Sequence, residues 1–361
     1  MKNLSKNARS NAVTYAIVII FFLAMQILSA TGHLSNSLKG QLIPICVYIC
    51  MAVSLNLTVG ILGELSLGHA GFMSVGAFSG VIVAMSLQNA VPNGAVRLIL
   101  AIIVGAVMAA IVGVLVGVPV LRLRGDYLAI VTLAFGEIIK NIINNLYVAW
   151  DADGLHIKLL RVISKGDLND GFIIINGPQG ATGITKLSTF TAGFLLILFT
   201  LFVVLNLTQS RSGRAIMALR DNRIAAESVG INVTKYKLMA FVVSAALAGM
   251  AGALYAMNFT GVAAKKFDFN TSILVLVFVV LGGMGNIRGS IIAAAVLYVL
   301  PELLRAVNNY RMLFYAIVLI LVMLVTNNPT LKNALGMVTE RITGVFRKKR
   351  SGSAEGGAVD E

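Results

Sequence analysis

The sequence predicts an all-α polytopic membrane protein with about ten transmembrane helices and both termini in the cytoplasm. Three observations carry that reading. Apolar runs of membrane-spanning length fill residues 12–326 almost without interruption. The composition is 58% hydrophobic and 12% charged over 361 residues, against roughly half and a quarter in a soluble domain. One interior loop, 208–237, is densely basic. An unsatisfied backbone group in hydrocarbon costs several kcal/mol, so runs of about 20 apolar residues are expected as helices. The formal charge of +14 comes from basic residues in loops beside these runs, where they set orientation and do not indicate a nucleic-acid surface.

The elements follow in order. Lys2, Lys6 and Arg9 precede the first run, 12–30. It exceeds the roughly 7 to 15 apolar residues of a cleaved signal and reads as a retained helix. The second, 42–62, holds Cys46 and Cys50, the only cysteines, four apart on one helical face. They suit packing and suggest neither a disulfide framework nor a thiolate metal site. The third and fourth are 65–87 and 97–121, the latter with a small-residue ridge at Gly105, Ala109, Gly113 and Gly117. The fifth is 127–149, and a loop at 150–186 carries no structural signal. Beyond it come 187–207, then 238–258 with a second ridge at Ala245, Ala248, Gly249 and Gly252. Such ridges serve either packing inside one bundle or a subunit interface. The last three runs are 272–285, short enough either to span or to re-enter, 287–308 and 312–326.

Cytoplasmic loops carry the excess of Lys and Arg. Strict alternation therefore places 1–11, Arg122 and Arg124, the loop 208–237 and the tail 327–361 inside, and 150–186 outside. The charges agree at each point, and the Gly- and Ser-rich end of the tail reads as disordered. Five runs before the outer loop and five after it allow two inverted five-helix halves, the arrangement of a secondary transporter. No sequence similarity joins the halves.

Two places break the helical pattern. Gly60, Gly63 and Gly68 surround Glu64, and Gly282, Gly283, Gly285 and Gly289 fall within eight residues. Irregular backbone at membrane depth is tolerated only where protein or a water-filled cavity satisfies it, so both are candidate moving parts or lining. Neither is a phosphate loop, since no Gly-Lys-Ser or Gly-Lys-Thr occurs in the chain. In the fifth run Glu137, Lys140, Asn141 and Asn144 share one helical face. A charge near mid-span costs about 2.5–3.5 kcal/mol on insertion scales, so that face turns from lipid. It holds either a structural ion pair or part of a permeation path. The candidate pathway or gate residues are thus Asn56, Glu64, Ser66, His69, Glu137, Lys140, Asn141, Asn144, Gly282, Gly283 and Gly285. His69, between Gly68 and Ala70, suits a packed, hydrogen-bonded role. No metal-ligand spacing and no nucleophile, base and orienter set is present, which argues against an enzyme.

In the basic loop, Asp221 or Asn222 can cap a short helix over 223–229 that Gly230 stops, and Thr234 can cap the next span. That makes a compact knob between two spans.

Four sets of residues resemble the permease subunits of branched-chain amino acid ABC importers. They are Ser54-Leu55-Asn56-Leu57 with Gly63-Glu64-Leu65-Ser66-Leu67-Gly68-His69-Ala70; the run 124–137, from Arg124-Gly125-Asp126-Tyr127 to Phe135-Gly136-Glu137; Ala218-Leu219-Arg220-Asp221-Asn222 with Ala225-Ala226-Glu227-Ser228-Val229-Gly230; and Gly282-Gly283-Met284-Gly285. The resemblance implies a multi-pass protein of the bacterial plasma (inner) membrane that pairs with a sister permease. Two ABC ATPase subunits would bind inside, and an extracytoplasmic amino-acid-binding protein would deliver the small-molecule substrate outside. ATP and Mg would belong to those ATPases, with no cofactor on this chain. The loop would be a degenerate coupling helix, with Arg220, Asp221, Arg223, Ala225, Ala226, Glu227 and Gly230 as candidate coupling residues. The same family pattern extends to other amino acids and to urea or short amides. The rival class is an ion-coupled secondary transporter with Glu137 as a proton relay.

Overall fold

A computed structural model describes residues 6–31, 36–123, 125–151, 154–160, 171–304 and 310–327. Lys2, Arg124 and the tail from 328 onward lie outside the described residues. The chain forms two compact units, 1–299 and 300–361. In the second unit the described residues are the end of α11 and the apolar helix α12 (Arg311–Asn327).

The first unit begins with α1 (Lys6–Ala30) and α2 (Asn36–Asn56), the latter continuing into a π-helical turn at Leu57–Leu62. Helices α3 (His69–Ser86), α4 (Gly94–Val120), α5 (Asp126–Asn144) and α6 (Phe190–Gln209) follow. Two short helices, α7 (Arg211–Asp221) and α8 (Arg223–Ser228), then lead to α9 (Val233–Ala256), α10 (Phe269–Gly282) and α11 (Ile287–Leu303). A helix thus stands at each of the ten expected runs. Among the described residues six helices are long and apolar enough to cross a membrane: Asn11–Ser29, Ser37–Leu62, His69–Ser86, Gly94–Val120, Phe190–Gln209 and Val233–Ala256. Helix α10, with 14 residues, is about 21 Å long against a hydrocarbon core of about 30 Å.

Both small-residue ridges pack against each other inside the bundle. A Cβ on Gly249 would overlap the Ala109 side chain, one on Gly113 would press Ala245, and one on Gly76 of α3 would strike the Gly249 backbone. Lipid offers helices no hydrophobic reason to associate, so this backbone approach in the α3, α4 and α9 layer is what holds the core. The opposite side of α4 leaves Ile99, Ile103, Val107 and Leu115 exposed, a face suited to lipid. Cys46 and Cys50 are free and buried, with Gly193 of α6 packed on Cys46.

Three local expectations are corrected. The fifth helix ends at Asn144, short of residue 149, because 146–151 form a strand. That strand, β1 (Leu146–Asp151), pairs antiparallel with β2 (Gly154–Leu159) in the register Leu146↔Leu159 to Asp151↔Gly154. With β3 (Phe172–Asn176), β4 (Ala181–Thr182) and β5 (Gly261–Val262) it makes a sheet of order β2-β1-β3-β4-β5. The loop after α5 and the segment after α9 are therefore clipped together. The basic loop holds two helices where one was expected, since Ser210 caps α7 through its Oγ, accepting from Gly213 N at 3.0 Å. Asn222 caps α8, accepting from Ala225 N at 3.1 Å. The cap of α9 is Asn232, accepting from Lys235 N at 3.0 Å, and not Thr234, which lies inside the first turn.

Candidate functional site

The two glycine breaks meet at one end of the bundle. The π-helical turn after Asn56 is buried at all six positions and closes at Gly63, whose φ of 80° suits glycine. Gly63 N and Glu64 N both donate to Thr58 O. This wide turn leaves the Gly60 carbonyl to accept from Arg220 Nη1 at 3.0 Å. Asn56, fully buried, spends both ends of its amide on the second break: Oδ1 accepts from Gly285 N at 2.8 Å, and Nδ2 donates to Ser290 Oγ at 2.9 Å. A Cβ on Gly60 would collide with the Asn56 amide and the Gly285 backbone. Gly282 and Gly289 lie backbone to backbone across the α10–α11 turn, where Gly283 and Gly285 have φ of 92° and 81°.

Other side chains lock the segment that follows. Glu64 forms an ion pair with Lys237 in the first turns of α9. Leu67 N donates to Thr132 Oγ1 of α5 at 3.1 Å, and Ala70 N to Ser272 Oγ of α10 at 3.1 Å. His69 is buried, with Nε2 2.8 Å from Ser54 Oγ, which itself donates to Met51 O at 2.9 Å. That is the packed, hydrogen-bonded histidine expected. Ser244 Oγ donates to Ser54 O at 2.5 Å. Ser66 Oγ is buried with no partner among the described residues.

The α5 candidates form a separate group. Glu137 pairs with Lys140 on the same helix, and both are half-buried. Asn141 is exposed and its carbonyl accepts from Asn145 Nδ2 at 2.9 Å, while Asn144 is half-buried. Their neighbour Gly136 packs against Gly68 and Gly71, which seats the face beside the first break.

The knob divides its residues by direction. Ala226 is buried, and Arg220, though 41% exposed and held to Asp221 Oδ1 through Nε and Nη2, sends its Nη1 inward to Gly60 O. Asp221, Ala225, Glu227 and Gly230 are exposed, with Arg223 Nε bonded to Glu227 Oε1 at 2.9 Å. Gly230 ends α8 at φ 84°. Ile224 and Val229 are 81% and 75% exposed, apolar tips that the basic loop's charge pattern concealed. Sequence reasoning also missed Lys237, Thr132, Ser244, Ser272 and Ser290, whose partners lie far off in sequence, in other helices or in the irregular segment 63–68. The first turn of α9 is here and its last turn is at the sheet, so its 24 residues separate the two ends by about 36 Å. At the sheet end a cavity of about 310 Å³ is lined by Gln179, Tyr255, Phe259, Val262 and Lys266. Among the described residues no group of three His, Cys, Asp or Glu could hold a metal ion.

The fold is a multi-pass helical bundle with a buried polar cluster under an exposed two-helix knob, and its class is that of a membrane permease. A family model described as "Branched-chain amino acid transport system / permease component" matches residues 37–323, and the chain belongs to that family. It is 36% identical over 293 residues to the high-affinity branched-chain amino acid transport system permease protein LivM of Salmonella typhimurium, covering 77% of this chain and 66% of that protein. The chain thus spans just under two thirds of that relative's length. It is 29% identical over 211 residues to the nucleoside ABC transporter permease protein NupC of Lactococcus lactis, covering 55% and 60%. It is 26% identical over 285 residues to the permease protein LivH of Escherichia coli, covering 77% and 89%. No solved structure matches the chain. The protein is a multi-pass protein of the plasma (inner) membrane.

Proposed function

We propose that this chain is the membrane-spanning permease subunit of an ATP-driven importer for leucine, isoleucine and valine. It shares the translocation path with a sister permease, is driven by two cytoplasmic ATPase subunits, and receives substrate from an extracytoplasmic binding protein. Similarity to LivM and LivH, two permease proteins named for one transport system, supports both the substrate class and the pairing. The higher identity to LivM than to NupC favours amino acids over nucleosides.

One observation carries the mechanism: the knob α7–α8 shows two apolar tips, Ile224 and Val229, and is tied at its base into the glycine breaks through Arg220. Two aliphatic tips, each about three-quarters exposed or more and five residues apart on a compact knob, suit the groove of a partner. Docked on an ATPase, the knob would pass closure of the nucleotide-bound dimer to the spans as a rigid-body shift. The knob then lies inside and the sheet outside, and the cavity at the sheet is the mouth toward delivered solute. ATP binding biases the bundle between outward and inward states only to the extent that it binds the two unequally.

The test replaces 223–228 with a Gly and Ser linker in the reconstituted complex. Substrate-stimulated ATP hydrolysis and uptake should both be lost while the protein stays in the membrane; persistent stimulation would refute the assignment. Uptake that collapses with an uncoupler at constant ATP would instead establish a secondary transporter.

A further inference from the structure

The knob's two legs are both tied to the first glycine break. Arg220 lies in the last turn of α7, just before α8, and Lys237 in the second turn of α9, just after it; the first holds Gly60 within the turn and the second holds Glu64, whose N–H donates back to Thr58 O of the turn. We propose that the π-helical turn Leu57–Leu62 is the element that receives the knob's movement, with Arg220 and Lys237 as its inputs and Asn56 as its output to the α10–α11 turn. Asn56 is then a positioning residue for the transport step and Arg220 transmits inward, away from the ATPase. This rests on the reading of the chain as an ATPase-coupled permease and adds the route by which force enters it.

Three features suit the turn to that role. A π turn carries a register defect of one residue, and such turns are frequent at functional sites. Losing it would rotate the following chain by about 100° and shift it by about 1.5 Å. The packing is discrete and not compliant: Gly60 has the Asn56 amide and the Gly285 backbone where a Cβ would stand, so a shift of the turn must carry the α10–α11 turn with it. The output is also specific. Asn56 has no exposed surface, and both its amide ends are committed to Gly285 and Ser290. Buried in this way, those bonds have no water to replace them, so the amide links the two breaks as one body. On the far side Gly283 and Gly285 hold left-handed φ, and Gly282 is pressed on Gly289. The α10–α11 turn therefore moves as a unit with the start of α11.

The experiment uses the full complex in proteoliposomes, with sister permease, ATPases and binding protein, and measures uptake and ATP hydrolysis on the same vesicles. Asn56→Ala and the milder Ser290→Ala cut the output without touching the knob. Hydrolysis should stay within about twofold of the parent while uptake falls about tenfold or more for Asn56→Ala and less for Ser290→Ala, the size expected of a lost coupling. If Asn56→Ala is not recovered folded, Ser290→Ala, whose melting temperature reports its fold, decides. Uptake and hydrolysis falling in parallel, or neither changing, overturns the relay. Hydrolysis that is equally insensitive to replacement of 223–228 overturns the coupling reading itself, and the relay with it. A relay that fails while knob dependence persists leaves that reading standing.

Discussion

Glu64 and Lys237, 173 positions apart in sequence, form an ion pair with only 14% and 6% of their side chains exposed. Removing one partner leaves the other charged, buried and alone, at a cost of about 3–5 kcal/mol, whereas replacing both with apolar residues is often neutral. Lys237→Met and Glu64→Gln should therefore each lower the melting temperature in detergent. Glu64→Leu combined with Lys237→Met should restore much of it. A double variant as unstable as the sum of the singles would show that the two residues act independently.

Gly60→Ala and Gly40→Ala make a matched pair in one continuous helical segment. The added methyl at Gly60 meets the Asn56 amide and the Gly285 backbone, neither of which is the free end of a flexible side chain. At Gly40 nothing lies within 4 Å. Gly60→Ala is expected to abolish folded yield or uptake. Gly40→Ala should be silent or stabilising by up to about 1 kcal/mol, the helix preference of alanine over glycine. Size-exclusion profiles of fluorescently tagged variants give the comparison, and a monodisperse, active Gly60→Ala protein would contradict the close approach.

What the sequence made legible was local. Run length and composition predicted helices at ten places, and glycine spacing marked both breaks, because each signal lies within a few residues of its effect. The knob was half visible. Its α8 half has clear stops, but α7 buries only Gly213, Ile216 and Leu219 within a basic stretch, a thin apolar stripe whose surest sign was the Ser210 cap. The sheet was not visible, since strands of two to six residues pair across long loops, as Ala181 does with Val262. The candidate residues Asn56, Arg220 and Gly285 were readable singly. Their meeting was not, because hydrogen bonds across 160 and 229 positions leave no periodic trace.

Glu137 and Lys140 neutralise each other along α5, which would lower the cost of holding their partly exposed face at membrane depth. If that face were only structural, Glu137→Leu with Lys140→Leu would be neutral in every respect, since the pair would be exchanged for apolar residues. The face also carries exposed Asn141 beside half-buried Asn144, polar groups that lipid would not satisfy. We therefore expect the double variant to keep its membrane level while uptake falls about tenfold, the range of an energetic coupling near 1.4 kcal/mol. Immunoblotting against transport separates the two, and equal losses would leave the pair a structural role alone.

Arg97 in the first turns of α4 is the contrasting case. It is only 8% exposed, and its Nε and Nη1 have no hydrogen-bond partner among the described residues. A buried cation with no counter-charge is destabilising, and Arg97 has none among the described residues; its place near a helix N-terminus, the positive end of the macrodipole, adds to the cost. The chain that follows, through Leu98 and Ala101, packs tightly, so the site wants an apolar side chain of similar length. Arg97→Met should raise the melting temperature of the isolated subunit in detergent by a few degrees, in keeping with a gain of about 1 kcal/mol or more. A fall in its place would mean that the guanidinium is satisfied in solution by an anion, and titrating phosphate or anionic lipid into the parent protein, but not the variant, would then raise stability by mass action.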